Sequence, residues 1–158
     1  MQYRFVHMTE EYAGEVVGNW HYEGVYSFYD MAADEEDLKI FTDRTYWENT
    51  TFAVLNPRDE LAGWATFYME GEDMWLSLGL KPGLTGLGLG EEFVSQCVEF
   101  ARSHYGLDER TIKLDVAAFN KRAIKVYERA GFVEIGRMTK KTHVGEVEFL
   151  RMARPATP

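Results

Sequence analysis

A single cysteine, Cys97, stands in a chain of 158 residues. One thiol cannot build an intramolecular disulfide framework, and such sparing use fits a reducing, cytoplasmic setting. Cys97 falls in line with Phe93, Val94, Val98 and Ala101 on a helical stripe, so it reads as a small buried hydrophobe rather than a nucleophile. No apolar run reaches the roughly eighteen residues of a membrane span, and no membrane association is expected. The opening Met-Gln-Tyr-Arg-Phe-Val-His alternates like a strand and lacks the apolar stretch of a signal peptide. Basic residues are also in short supply: 17 Lys and Arg against 26 Asp and Glu leave a net charge of −9. Nucleic acid is therefore not expected as a partner, because neutralising phosphates takes clustered cations. The same acidity mildly favours a cationic acceptor such as an amine. The histidines, at 7, 21, 104 and 143, share no metal-ligand spacing, and no metal site is expected. Repeats, low-complexity runs and linkers are lacking too, and the length suits one domain over residues 1–158.

What the chain does have is glycine in one place. From Leu78 to Gly90 it reads Leu-Gly-Leu-Lys-Pro-Gly-Leu-Thr-Gly-Leu-Gly-Leu-Gly, and an amphipathic helical pattern follows at once. A strand thus empties into a glycine loop that opens a helix. Without Cβ atoms, backbone N–H groups can approach an anion, and the helix N-terminus adds partial positive charge. A dinucleotide fingerprint would need glycine three residues after Gly88, where Glu91 stands, and a Walker A loop would need Gly-Lys-Ser or Gly-Lys-Thr, which the chain lacks. A plain strand-to-helix turn is the competing reading.

Asn120-Lys-Arg-Ala-Ile-Lys-Val-Tyr127-Glu-Arg-Ala-Gly131-Phe132 forms a second such stretch. Asn120 suits a helix N-cap, Ala123, Ile124, Tyr127 and Ala130 share one face, and Gly131 suits the C-terminal stop. Helix formation accounts for all of this except a phenol on the buried face.

Leu78-x-Leu80-x-Pro82-x-x-Thr85-Gly86-x-Gly88-x-Gly90 resembles motif A of the GNAT N-acetyltransferases, and the stretch from Asn120 to Phe132 resembles their motif B. The family usually places Arg or Gln where this chain has Thr85, which implies either that backbone amides do most of the binding here or that the cofactor is held more weakly than is usual in the family. The resemblance implies acetyl-coenzyme A as co-substrate, with its pyrophosphate on Thr85, Gly86, Leu87, Gly88, Leu89 and Gly90. Main-chain groups of Leu78 and Leu80 would bond the pantetheine amides and the acetyl carbonyl, the Leu80 N–H serving as oxyanion donor. Asn120 would hold the pantetheine arm or a water, and Tyr127 would protonate the departing thiolate. Packing and capping are their plain alternatives. Asp115 matches a position where the family commonly carries an acid and is one candidate base. Glu70, Glu72, Asp73 and ordered water stay open beside it.

The aromatic segment from Trp20 to Asp30 matches the acceptor border of the family. Tyr26, Tyr29 and Asp30 are the substrate-binding candidates, against the alternative that these rings cover a sheet edge. Glu91 and Glu92 are expected to point away from the loop, while Lys81, Lys121 and Arg122 are available to offset phosphate charge. The expected activity is transfer of an acetyl group to a primary amine, a small molecule or a peptide N-terminus, by direct attack in a ternary complex. The rival is a non-catalytic acyl-coenzyme A sensor or interaction module on the same fold, and the resemblance leaves room for a homodimer.

Periodicity predicts strands at 2–7, 51–55, 61–69, 74–80, 111–116, 132–139 and 146–152. It predicts helices from Thr9 to about residue 17, and over 34–42, 88–104 and 120–130. The expected fold class is α/β (α+β): a GNAT-type mixed, mostly antiparallel sheet of about seven strands with helices on both faces. A cleft formed by splayed strands is implied by the resemblance alone.

Overall fold

Capping side chains start the first, second and fourth α-helices, and buried apolar positions set the strands, in the computed structural model, which describes residues 2–158. β1 (Arg4–His7) leads into α1 (Glu10–Asn19), where the Thr9 hydroxyl accepts from the N–H of Tyr12 at 3.2 Å. The aromatic segment contains a 3₁₀ helix over Gly24–Tyr29. Asp34 then caps α2 (Glu35–Phe41), accepting from the N–H groups of Glu36 and Asp37, each at 3.0 Å. β2 (Thr51–Leu55) and β3 (Leu61–Glu70) join at a turn in which the Asn56 side chain accepts from the N–H groups of Arg58 and Glu60. There follow β4 (Asp73–Leu80), the glycine loop, α3 (Gly90–Tyr105), β5 (Thr111–Ala117), α4 (Lys121–Arg129), β6 (Val133–Thr142) and β7 (Gly145–Pro155).

One seven-stranded sheet results, in the order β1-β2-β3-β4-β5-β7-β6. Every pair is antiparallel except β4–β5. α3 lays Phe93, Val94, Cys97, Val98 and Ala101 against Phe67, Met74, Ile112 and Leu114, and α4 packs beside it. On the opposite face, Ala13, Val16 and Phe41 of α1 and α2 meet Ala53, Leu55 and Leu61. The expected fold class is therefore the observed one. Full burial of a large apolar side chain in such a core is worth about 1.5–3 kcal/mol. Cys97 is wholly buried, and that burial pushes its thiol well above the ordinary range. It packs as a hydrophobe.

The bounds of α3, β6 and β7 differ from the sequence reading for physical reasons. α3 begins at Gly90 rather than 88, because Gly86 and Gly88 take φ of +73° and +77°, a left-handed conformation that cannot continue a right-handed helix. β6 and β7 are longer than their weak alternation suggests, because each pairs with the other from Val133↔Ala153 to Thr142↔Gly145. Among the described residues, no helix is long and apolar enough to cross a membrane, and no three His, Cys, Asp or Glu side chains are grouped to hold a metal ion.

Candidate active site

Strands β4 and β5 pair only over Asp73↔Thr111, Met74↔Ile112 and Trp75↔Lys113. Beyond Trp75 they part, while β4 stays paired to β3 as far as Leu80 and β5 to β7 as far as Ala117. The register shows what lines the split. Lys81 N–H donates to Ala62 O at 2.8 Å, and hydrogen-bonded and non-hydrogen-bonded pairs alternate along an antiparallel ladder. Gly63↔Leu80 and Ala65↔Leu78 are then non-hydrogen-bonded pairs, so Leu78 and Leu80 turn N–H and C=O away from β3 and into the split. On the other wall, Ala118 N–H donates to Glu148 O at 2.9 Å. By the same alternation Ala117 and Asp115 turn their main-chain groups inward.

The aromatic segment reaches both walls. Tyr22 Oη donates to Leu80 O at 2.7 Å, and Tyr29 Oη accepts from the N–H of Ala117 at 3.2 Å. Burial raises both phenols above their ordinary value, the neighbouring Asp30 adding to the effect on Tyr22. Asp30 itself accepts from the N–H of Tyr22 at 2.8 Å and meets His21 Nδ1 at 3.2 Å. Tyr26 lies under the guanidinium of Arg122, 4.4 Å from ring centroid to Cζ. Tyr26, Tyr29 and Asp30 are thus all engaged inside the fold. A long connection without a strand partner must satisfy its polar groups this way.

In the glycine loop, Thr85 Oγ1 donates to Pro82 O at 2.7 Å, closing the 3₁₀ turn Pro82–Leu84. Its hydroxyl proton is therefore engaged. Beyond it, the N–H groups of Gly86, Leu87, Gly88, Leu89 and Gly90 meet no acceptor among the described residues. Leu89, at the N-cap of α3, makes no side-chain cap bond. The start of a 16-residue helix thus offers bare donors and dipole charge together. Gly90 also serves packing, since a Cβ there would lie 3.1 Å from both methyls of Val126, and its absence lets α3 and α4 approach. Glu92 Oε1 accepts from Gln96 Nε2 at 3.2 Å, along the helix rather than back toward the loop.

Asn120 caps α4 through the N–H of Ala123 at 3.2 Å, so its structural role is present. Tyr127 packs edge-on to Phe132 at 5.9 Å, half-buried, and no group among the described residues hydrogen-bonds its hydroxyl. Burial pushes its phenol well above the ordinary value, with Tyr29 and Cys97 adding to the effect.

Asp115 lies on the opposite face, since its neighbours Leu114 and Val116 point into the core. Arg151 donates to its two oxygens at 2.9 and 3.1 Å, and Lys140 Nζ lies 2.5 Å from one of them. Burial alone would raise this carboxyl, but the bonds from Arg151 and Lys140 outweigh it and hold the group below the usual carboxylate range. A carboxylate so held accepts protons poorly. Glu70, Glu72 and Asp73 stand at the closed end of the β4–β5 pair, about 16 Å along the strand from Leu78. Sequence reasoning had no route to Tyr22, Arg151 or Lys140, which act across 58, 36 and 25 residues of chain.

A family model described as Acetyltransferase (GNAT) family matches residues 6–132. Among solved structures, a chimera of spermidine N-acetyltransferase from Vibrio cholerae and hSSAT matches with a TM-score of 0.72 and 17% identity, over 99% of this chain and 97% of that one. Spermidine N-acetyltransferase from Vibrio cholerae in complex with CoA and spermine matches with a TM-score of 0.70 and 16% identity, over 97% and 95% of the two chains. The ribosomal-protein-S18-alanine N-acetyltransferase from Escherichia coli matches with a TM-score of 0.64 and 18% identity, over 99% and 96%. At these identities the likeness is one of fold. No curated protein matches by sequence.

Proposed function

From the premise that this chain belongs to the GNAT acetyltransferase family, we propose that it transfers the acetyl group of acetyl-coenzyme A to a primary amine by direct attack in a ternary complex. The observation that carries the proposal is the continuity of two donor sets. Inward-turned main-chain groups of Leu78 and Leu80 run straight into the open amides of Gly86 to Gly90. A ligand fitting both has amides and a thioester carbonyl at one end and phosphate at the other. The residues present fit acetyl-coenzyme A.

When bound, acetyl-coenzyme A supplies an activated acyl group and a good leaving group, so no covalent intermediate on the protein is needed. Gly86, Leu87, Gly88, Leu89 and Gly90 hold the diphosphate through N–H groups, and Thr85 shapes the turn that presents them. Leu78 bonds the pantetheine arm, and the Leu80 N–H is aimed at the carbonyl oxygen as it gains charge. Its own C=O is already taken by Tyr22. Asn120 fixes the start of α4, and Tyr29 the end of β5. Tyr127 is the acid: its raised phenol keeps its proton at neutral pH and can give it to the departing sulfur. Asp115, already paired to Arg151 and Lys140, orders the floor of the acceptor side, and ordered water takes the amine proton.

The acceptor is a small-molecule amine or a peptide N-terminus, and the setting is cytoplasmic, in keeping with one buried thiol. A homodimer is the assembly to test by sedimentation. Incubating the protein with acetyl-coenzyme A and a panel of amines, and titrating released thiol, tests the activity. We expect thiol release above the hydrolytic background with at least one amine. Binding without release across polyamines, amino acids and peptides would instead make the chain a non-catalytic acyl-coenzyme A module.

A further inference from the structure

We propose that Arg122 supplies the cationic contact to the cofactor diphosphate that the glycine loop itself lacks; this rests on the acetyl-coenzyme A reading above. The loop has no charged side chain of its own between Thr85 and Gly90. Where the family usually carries Arg or Gln, Thr85 brings only a hydroxyl, and that hydroxyl is bonded to Pro82 O. The bound ligand would therefore bring two phosphate charges to neutral amides alone, in a protein of net charge −9. Such a site calls for a cation from elsewhere in the fold.

Arg122 is placed to be that cation. It stands in the first turn of α4, and its Nη1 lies 3.8 Å from where a Cβ would project at Gly86. Gly86 is the first residue of the run of open amides. The Arg122 Cζ lies over the Tyr26 ring, 4.4 Å from its centroid. Stacking of this kind fixes the plane and leaves the N–H edge free to donate. No carboxylate among the described residues forms an ion pair with Arg122. Lys81, the cation nearest in sequence, is by contrast 3.8 Å from Glu15. The aromatic segment thereby gains a role: Tyr26 is the platform that aims Arg122 at the loop, and Tyr22, bonded to Leu80 O, anchors that platform to β4. The diphosphate is held by amides of one helix start and a guanidinium from the next helix.

Isothermal titration at fixed ionic strength tests this with three ligands: coenzyme A, 3′-dephospho-coenzyme A, and S-acetylpantetheine, which lacks the diphosphate. We expect Arg122→Gln to weaken coenzyme A and dephospho-coenzyme A about tenfold each, the scale of one charge-assisted hydrogen bond, and to leave S-acetylpantetheine unchanged. Arg122→Lys should recover part of the loss, and Tyr26→Leu should weaken the two nucleotide ligands less than Arg122→Gln does. Equal weakening of all three ligands would show Arg122 acting through the fold and would overturn the proposal. So would a loss confined to coenzyme A, which would move Arg122 to the 3′-phosphate. Unchanged affinities in Arg122→Gln would also overturn it while leaving the acetyl-coenzyme A reading intact. Failure of the wild-type protein to bind coenzyme A would remove that reading, and this inference with it.

Discussion

Tyr29 and Ala117, 88 residues apart in the chain, share a hydrogen bond in which the Ala117 N–H donates to the phenol oxygen at 3.2 Å. The N–H it occupies is one that β5 would have given to β4 had the two strands stayed paired. Splitting a sheet leaves polar main-chain groups without partners, and a buried group in that state costs about 1–3 kcal/mol. Tyr29 meets that need at one wall and Tyr22 at the other, through Leu80 O. The aromatic segment thus bonds both walls of the gap between β4 and β5.

Replacing Tyr29 by Phe removes that acceptor and keeps the ring. We expect a loss of about 1 kcal/mol in urea unfolding and a raised KM for acetyl-coenzyme A. A stability equal to wild type would show that solvent satisfies Ala117 and that Tyr29 does not brace the gap.

Tyr127→Phe tests the acid. Its kcat should fall about tenfold or more with little change in the dissociation constant of acetyl-coenzyme A. Because burial raises the phenol, the neutral, proton-donating form persists above the ordinary tyrosine value near 10. The wild-type rate should therefore climb with pH as the amine loses its proton, without the descending limb near pH 10 that an unshifted phenol would give. Full turnover in the variant would return Tyr127 to packing.

Asp115→Asn separates charge pairing from catalysis. The folded carboxyl is lowered, so its contribution is fully present above the unfolded value near 3.9 and is lost as pH falls through the folded one. At neutral pH the variant should be less stable by about 1–3 kcal/mol, toward the lower end because Arg151 and Lys140 reach solvent. The gap between variant and wild type should close as pH drops below about 4. Thiol release should fall less than tenfold, whereas loss of a general base typically costs 10²–10⁴-fold. A drop of that size at unchanged stability would restore Asp115 as the base.

Two glycines two residues apart should fail differently. Gly88→Ala places a Cβ at φ +77° with open space around it; that conformation costs about 1–2 kcal/mol, and relaxing it would turn the loop amides away. Acetyl-coenzyme A affinity should fall about tenfold or more, read by titration. Gly90→Ala instead presses on Val126 at 3.1 Å, so its main effect should be a lower melting temperature from α3–α4 strain. Equal effects on binding and stability in both variants would refute this division.

Local chemistry made much of this protein readable in advance. The Thr9 and Asn120 caps each bond the N–H groups that their positions predict. The glycine run marked a strand-to-helix turn because left-handed φ values and bare helix donors are properties of a few adjacent residues. The two motifs and their order pointed to the family for the same reason. The roles of Tyr26, Tyr29, Asp30 and Asp115 were less legible: each is engaged by a partner that the sequence sets at no fixed spacing, such as Arg122, Ala117 or Arg151.

By itself, then, the sequence determined the elements, their order and the donor-rich loop, because capping, periodicity and backbone freedom act over a few residues. Only the tertiary structure decided where β4 and β5 part, which main-chain groups face the opening, and which carboxylates and cations neutralise one another. Those outcomes depend on register across the sheet and on side chains meeting from distant segments, and no local pattern encodes either.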